Sequence, residues 1–309
     1  MKWRKTSMIV GIDHGYGYTK TRHSILASGV ATLESAPPLM TNVVKFNDIY
    51  YQVGVEPDGL AEDKTSNIDY YILTLSAIAE EMKNFHILSA DITMAVGLPL
   101  TRYGTEKEAF LEYLNQYASV DFEYEEKTYH ININPNIYIY PQGYAAVAPK
   151  IASIKGTCYL VDIGTGTTEI LPISGDHKID LKRAKTIQHG VSDLFARVNA
   201  AVSEVFHGEM SRDQIIDILL CRECVIPEKV KNLCLKQIAA WCSDTIKILR
   251  QNKVNYDITQ TFIMGGGAGV LKKFSTELSD TCITFIEDIQ ANATGYEILA
   301  RATEQHKRG

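Results

Sequence analysis

Apolar positions along the chain take two forms. Some fall in short continuous runs closed by glycine-rich turns, and others recur at helical spacing. Ser7 to Asp13 is a run of the first kind; His14 to Tyr18 turns the chain, and Thr19 to Ser24 alternates as a returning strand. Strand character resumes over Val43 to Val53, after the Pro37-Pro38 break. Ile72, Leu75, Ile78, Met82 and Phe85 share one helical face, and Ile92 to Val96 then predicts a strand closed by Gly97-Leu98-Pro99. A helix is expected from about Glu106 to Tyr117, alternating segments around Tyr129 to Ile133 and Ile137 to Tyr140, and an Ala-rich helix over Gly143 to Ser153.

The second half opens the same way. Thr157 to Ile163 reads as a buried strand, Gly164 to Thr168 as a turn and Glu169 to Ile173 as a returning strand, with Ser174-Gly175-Asp176 turning the chain again. Helical patterns follow at Val191 to Phe206, Arg212 to Leu220 and Glu228 to Leu249. A strand at Thr261 to Met264 runs into Gly265-Gly266-Gly267-Ala268-Gly269, and a last strand at Cys282 to Ile286 precedes a helix from about Gln290 to Glu304. Each half thus begins with strand, Gly turn and strand, with an acidic residue at the first strand's end. This pattern predicts a structural duplication in an α/β chain.

Composition narrows the functional classes. The 309 residues suffice for two domains. With 45% hydrophobic and 22% charged residues, the chain is neither low-complexity nor a coiled coil. A formal charge of -6 repels phosphate backbones, so no direct nucleic-acid contact is expected. The apolar run at the start is too short for a secretory leader, and no stretch is long enough to span a membrane, so a cytoplasmic location is expected. The cysteines are then expected as reduced thiols.

Three glycine motifs carry the candidate chemistry. In Asp13-His14-Gly15-Tyr16-Gly17-Tyr18-Thr19-Lys20, alternate glycines permit a tight turn whose N–H groups can face an anion. Asp13 can hold hydrated Mg2+, and Lys20 can reach a phosphate oxygen. Asp162-Ile163-Gly164-Thr165-Gly166-Thr167-Thr168-Glu169 repeats the Asp-x-Gly-x-Gly order at the matched place in the second half. Two such turns can clamp a polyphosphate, with one carboxylate from each beside the metal. The run from Gly265 to Gly269 lacks the following acidic residue of a dinucleotide fold. Close backbone approach to a base or sugar accounts for it better.

Together, in this order, these loops resemble the superfamily of actin, heat-shock chaperone and sugar-kinase ATPases. Asp13 to Lys20 is similar to its phosphate-one loop, through Asp13, Gly15, Gly17, Tyr18 and Lys20. Gly164, Thr165, Gly166 and Thr167, between Asp162 and Glu169, resemble phosphate-two, with Glu where Asp is usual. Gly265, Gly266 and Gly267 resemble the adenosine loop. Pro141-Gln142-Gly143 is similar to the first connecting segment, and Asp288 to Tyr296 to the second. The chain's small size, Gly97-Leu98-Pro99 and Asn292-Ala293-Thr294-Gly295-Tyr296 resemble bacterial and archaeal actin-like proteins of the ParM/StbA plasmid-segregation group.

The resemblance implies two related actin-like, ribonuclease H-like domains, residues 1–150 with 287–309 and residues 151–286, around a nucleotide cleft. It implies ATP, with GTP left open, and Mg2+ held by Asp13 and Asp162 through water. It further implies hydrolysis in which Gln142, a neutral amide, orients the attacking water beside Asp13 and Asp162. Self-assembly into filaments and plasmid movement through a DNA-binding adaptor follow from the same likeness. The alternatives within the superfamily are a small-molecule kinase, which calls for a carboxylate where Gln142 stands, and a nonpolymerising nucleotide-gated module.

Other residues allow two readings. Gln142 is also compatible with a helix-start residue bonding the backbone. His14 could touch phosphate or be a variable turn position. Gly190 could bring a helix's positive end to the nucleotide or merely begin that helix. Cys221 and Cys224 have zinc-ligand spacing, but Cys234 and Cys242 fall on a helical apolar pattern, where cysteine behaves as a small apolar residue. The basic residues at both ends read as solvated tails.

Overall fold

The computed structural model describes residues 6–57, 64–148, 154, 156–278 and 281–308. They form two compact units, Met1–Ser153 with Gln290–Gly309, and Ile154–Ile289. In chain order the first unit contains β1 (Thr6–His14), β2 (Tyr18–Lys20), β3 (Ile25–Ala27), β4 (Gly29–Leu33), β5 (Val43–Phe46), β6 (Ile49–Val55), α1 (Asp69–Asn84), β7 (Ser89–Leu98), α2 (Leu100–Leu114), β8 (Ser119–Tyr124), β9 (Lys127–Ile133), β10 (Tyr138–Pro141) and α3 (Tyr144–Val147). The second contains β11 (Cys158–Ile163), β12 (Thr168–Ile173), β13 (Lys185–Ile187), α4 (Val191–Phe206), α5 (Arg212–Leu220), α6 (Glu228–Gln251), β14 (Thr261–Met264), α7 (Gly266–Phe274) and β15 (Ile283–Phe285). The final helix α8 (Ala291–Arg308) returns to the first unit.

The duplication is visible in the strand order. In the first unit, β3, β2 and β1 are antiparallel neighbours, β7 lies parallel to β1, and β10 lies parallel to β7. The second unit has β13, β12, β11, β14 and β15 in that order and with the same directions. Helical crossovers carry the chain between the parallel strands, as such pairs require. What distinguishes the first unit is an extension: β9 pairs with β7 over Ser89 to Ile92, ahead of the Ala95 to Leu98 stretch taken by β10. From β9 the sheet continues through β8, β5, β6 and β4.

Several boundaries differ from the sequence expectation. The single strand expected over Val43 to Val53 is a hairpin, because Asn47 and Asp48 both take left-handed backbone angles, φ 50° and 62°. The returning strand expected over Thr19 to Ser24 is only β2, since the backbone turns at Thr21, whose N–H donates to the Ser24 carbonyl at 2.9 Å. The helix placed at Glu106 starts at Leu100, directly after Pro99, which cannot donate within a helix but fits ahead of its first turn. Four strands, β3, β4, β8 and β13, stand where no strand was expected. The Ala-rich helix is described only over its first turn, α3, and 149–153 fall outside the described residues.

Burial explains the helical patterns. From Tyr70 to Ala79 every residue of α1 is buried, so this helix is apolar around most of its circumference rather than along one face. In the second unit Trp241 of α6 is fully buried among Ile163, Leu194, Ile238 and Leu271. Helix α8 docks through missing side chains. A Cβ at Gly11 of β1 would overlap the Ala293 carbonyl, one at Gly97 of β7 the Tyr296 ring, and one at Gly295 the Ala145 carbonyl of α3. The second connecting segment is therefore a helix seated on glycine positions of β1 and β7.

Candidate functional site

The first turn begins where β1 ends. Asp13 is only 4% exposed, and its Oδ1 accepts a hydrogen bond from Gln142 Nε2 at 2.9 Å. Lys20 Nζ lies 3.7 Å from Oδ2, because Asp13 and Lys20 are register partners of the β1–β2 hairpin. Gln142 reaches Asp13 from the end of β10: its own N–H donates to the Leu98 carbonyl at 2.9 Å, and Gly143 then turns the chain with φ 77°. The Gly143 N–H donates to Asn292 Oδ1 of α8, also at 2.9 Å. With Nε2 committed to Asp13, Oε1 is the end of the amide that can accept from a water.

Between β1 and β2 the backbone is tightly held. A Cβ at Gly15 would stand 2.7 Å from the Tyr18 carbonyl, so a side chain is excluded there. Ser28, at the corner between β3 and β4, donates from Oγ to the Gly15 carbonyl at 2.7 Å and from its N–H to the Gly17 carbonyl at 3.0 Å. No sequence pattern marked Ser28, since it belongs to no glycine motif and meets the turn only after the hairpin folds back.

The second turn repeats the register. Asp162 pairs across the hairpin with Glu169 as Asp13 does with Lys20, and Gly164 N–H closes on the Thr167 carbonyl at 2.8 Å. The start of α4 lies against it: Val191 N–H donates to the Gly164 carbonyl at 3.0 Å and Ser192 N–H to the Thr165 carbonyl at 2.8 Å. A Cβ at Gly190 would overlap the Thr165 carbonyl. Gly190 is thus a close-packed helix start, and the leading N–H groups of α4 hold the turn rather than face an anion. Trp241 Nε1 donates to the Gly190 carbonyl at 3.2 Å, and its indole stacks on His189.

The third motif is less a loop than a helix start. Gly265 has φ 84°, and a Cβ there would overlap Asp162 Oδ1 and stand 2.5 Å from the Ile163 carbonyl. Gly266 opens α7 and is exposed. Gly267 is buried, its place for a Cβ taken by the Ile163 side chain. Within the first unit the fold therefore gathers Asp13, Lys20, Gln142 and the turn of Gly15, Gly17 and Tyr18. Within the second it gathers Asp162, the turn Gly164, Thr165, Gly166 and Thr167, and Gly265 with Gly266.

Comparison with known proteins bears on this geometry. Residues 11–144 match the family of the N-terminal domain of actin-like proteins. An archaeal actin homologue, Ta0583, solved in complex with ADP, superposes with a TM-score of 0.76 at 21% identity, over 95% of this chain and 99% of that one. The fold is actin-like. ParM from Bacillus thuringiensis, solved with ATP, gives a TM-score of 0.71 at 15% identity over 97% and 100% of the two chains. An Alp12 filament structure gives 0.69 at 16%, with the same coverage. A search of curated proteins by sequence found no match. Among the described residues, no helix is long and apolar enough to cross a membrane.

One sequence reading changes in the actin-like fold. His14 is not a turn position: it is fully buried, edge-on to Phe110, with Nε2 2.8 Å from Thr74 Oγ1. That hydroxyl donates to the Tyr70 carbonyl at 2.7 Å, so it accepts from His14 and the imidazole carries its proton on Nε2. Burial, then the Lys64 charge, lowers His14 from 6.5 to about 3. Below pH 6.5 the unfolded chain binds a proton that the native state refuses, so stability should fall from pH 6.5 toward 3. This one group should contribute a slope of about 1.4 kcal/mol per pH unit. Urea midpoints at pH 7 and pH 5 check it. His14→Gln should flatten the difference, leaving the same-signed contribution of His189, which burial also lowers.

The cysteines keep their expected apolar reading, with Cys234 and Cys242 buried on α6. Cys234 Sγ packs 3.3 Å from the Met210 sulfur, and burial pushes the Cys242 thiol up to about 12. Cys221 is exposed at the left-handed end of α5, and Cys224 is half-buried. No group of three or more metal-ligating side chains occurs among the described residues.

Proposed function

We propose that this chain is a nucleotide-dependent, filament-forming actin-like ATPase of the plasmid-segregation kind, acting in the cytoplasm. The observation that carries the reading is the Gln142 amide bonded to Asp13 at the end of β1, beside a phosphate-type turn that recurs in register at Asp162. The turns at Gly15, Gly17 and Tyr18 and at Gly164, Thr165, Gly166 and Thr167 hold the phosphates of ATP. Lys20 swings from Asp13 to a phosphate oxygen. Gln142 orients the attacking water through Oε1, a task that a neutral amide performs by position rather than basicity.

The residues suit the metal that this chemistry uses. Two carboxylates stand at matched strand ends, and the glycine beside Asp162 leaves Oδ1 uncrowded by a side chain. Asp13 and Asp162 would hold Mg2+ through water, and the ion supplies charge neutralisation to the phosphates. The neighbours support the reading: Ta0583 was solved with ADP, the Bacillus thuringiensis ParM with ATP, and Alp12 as a filament. With a net charge of -6, any plasmid cargo is reached through a DNA-binding adaptor.

Light scattering and sedimentation against protein concentration, with Mg-ATP, Mg-GTP or no nucleotide, test the whole reading. Polymer above a critical concentration only with nucleotide supports it; nucleotide binding without polymer at any concentration replaces it with a nonpolymerising module. Gly266→Val separates binding from folding. A Cβ at Gly266 meets only the Val191 side chain at 3.7 Å, so the fold should tolerate it. If Gly266 faces adenosine, a fluorescent-nucleotide titration should show affinity weakened about tenfold, as overpacking of about 1–3 kcal/mol implies. The urea midpoint should stay near wild type.

A further inference from the structure

The first phosphate turn is held by a residue outside the motif that marks it. Thr19 Oγ1 lies 3.0 Å from Ser28 Oγ, which itself lies 2.7 Å from the Gly15 carbonyl. A carbonyl only accepts, so the Ser28 hydroxyl donates to Gly15 and, its single proton spent, accepts from Thr19. The relay runs from Thr19 through Ser28 to Gly15. The Ser28 N–H adds a bond to the Gly17 carbonyl at 3.0 Å. Thr19 and Ser28 are both buried, so water does not replace these bonds at little cost.

Geometry gives this arrangement a direction. In a trans peptide the C=O and N–H point opposite ways. With the carbonyls of Gly15 and Gly17 drawn to Ser28, the N–H groups of Tyr16 and Tyr18 are directed away from it. Ser28 is itself anchored: at Gly29, the first residue of β4, a Cβ would stand 2.7 Å from the Glu56 carbonyl and overlap that of Val55. The corner is therefore seated on the end of β6.

We propose that Ser28 is the positioning residue of the phosphate turn, aligning the Tyr16 and Tyr18 N–H groups toward a bound nucleotide phosphate and joining the turn to the outer strands β4 and β6. The proposal rests on the ATP reading above, and its test has one arm that does not. Amide hydrogen exchange of the nucleotide-free protein should be about tenfold faster at residue 28 in Ser28→Ala, because that N–H keeps its bond to the Gly17 carbonyl only while the turn is held. In the second arm, Mg-ATP affinity should weaken about tenfold while kcat stays within about twofold. Ser24→Ala removes a hydroxyl that bonds Thr21 instead of the turn, and should change neither. Unchanged exchange in Ser28→Ala overturns the positioning role whether or not ATP binds. Faster exchange with wild-type affinity overturns its link to nucleotide. A wild-type chain that binds no ATP overturns the ATP reading, and the exchange arm then decides on Ser28 alone.

Discussion

Gln142→Ala should hydrolyse ATP about 100-fold more slowly than wild type, since misplacing a reacting group by about 1 Å costs about 10²-fold. Affinity should remain within about twofold, because the oriented water matters only after the nucleotide is bound. The variant loses the 2.9 Å bond to Asp13, and with it the contact that reaches Oδ1 from the end of β10. If hydrolysis destabilises the polymer, Gln142→Ala filaments should also decay more slowly. Sedimentation time courses with phosphate release followed in the same samples measure both. Equal decay despite slower release would uncouple hydrolysis from filament lifetime, and wild-type release would remove Gln142 from the reaction.

Gly295→Ala should strongly destabilise the fold. Its Cβ would overlap the Ala145 carbonyl, and backbone cannot yield as a side-chain end can. Relief requires α8 to lift, which also withdraws Tyr296 from Gly97 and Ala293 from Gly11. A loss of about 3 kcal/mol is expected, the upper range for overpacking. Gly104→Ala is the control: Gly104 lies inside α2 with no atom near its missing Cβ, so alanine should stabilise by about 0.4–1 kcal/mol. Urea denaturation of both proteins decides. Similar midpoints would mean that α8 is not seated as tightly as its glycines imply.

Elements governed by local pattern are legible in the sequence alone. Val191–Phe206, Arg212–Leu220 and Thr261–Met264 coincide with their expected limits, because each has an apolar period bounded by turn or capping residues. The duplication is legible too, since Asp-x-Gly-x-Gly after an apolar run recurs at matched places and a hairpin turn is chosen by its own few residues. The Val43 to Val53 hairpin is readable in principle from Asn47-Asp48, but continuous strand character on both sides conceals it.

Tertiary structure alone decided what those turns touch. Ser28 meets Gly15 and Gly17, and Gln142 meets Asp13, across intervals that no local period reports. His14 looks in sequence like any polar turn residue, yet packing against Phe110 and Thr74 makes it a neutral core group. Glycine is the sharpest case. The sequence shows that Gly11, Gly97, Gly190, Gly267 and Gly295 lack side chains, but only the fold shows that a neighbouring chain segment occupies the space each side chain would need. Turn chemistry is written in neighbouring residues. Burial and close approach are properties of segments that meet only when the whole sheet and its helices are assembled.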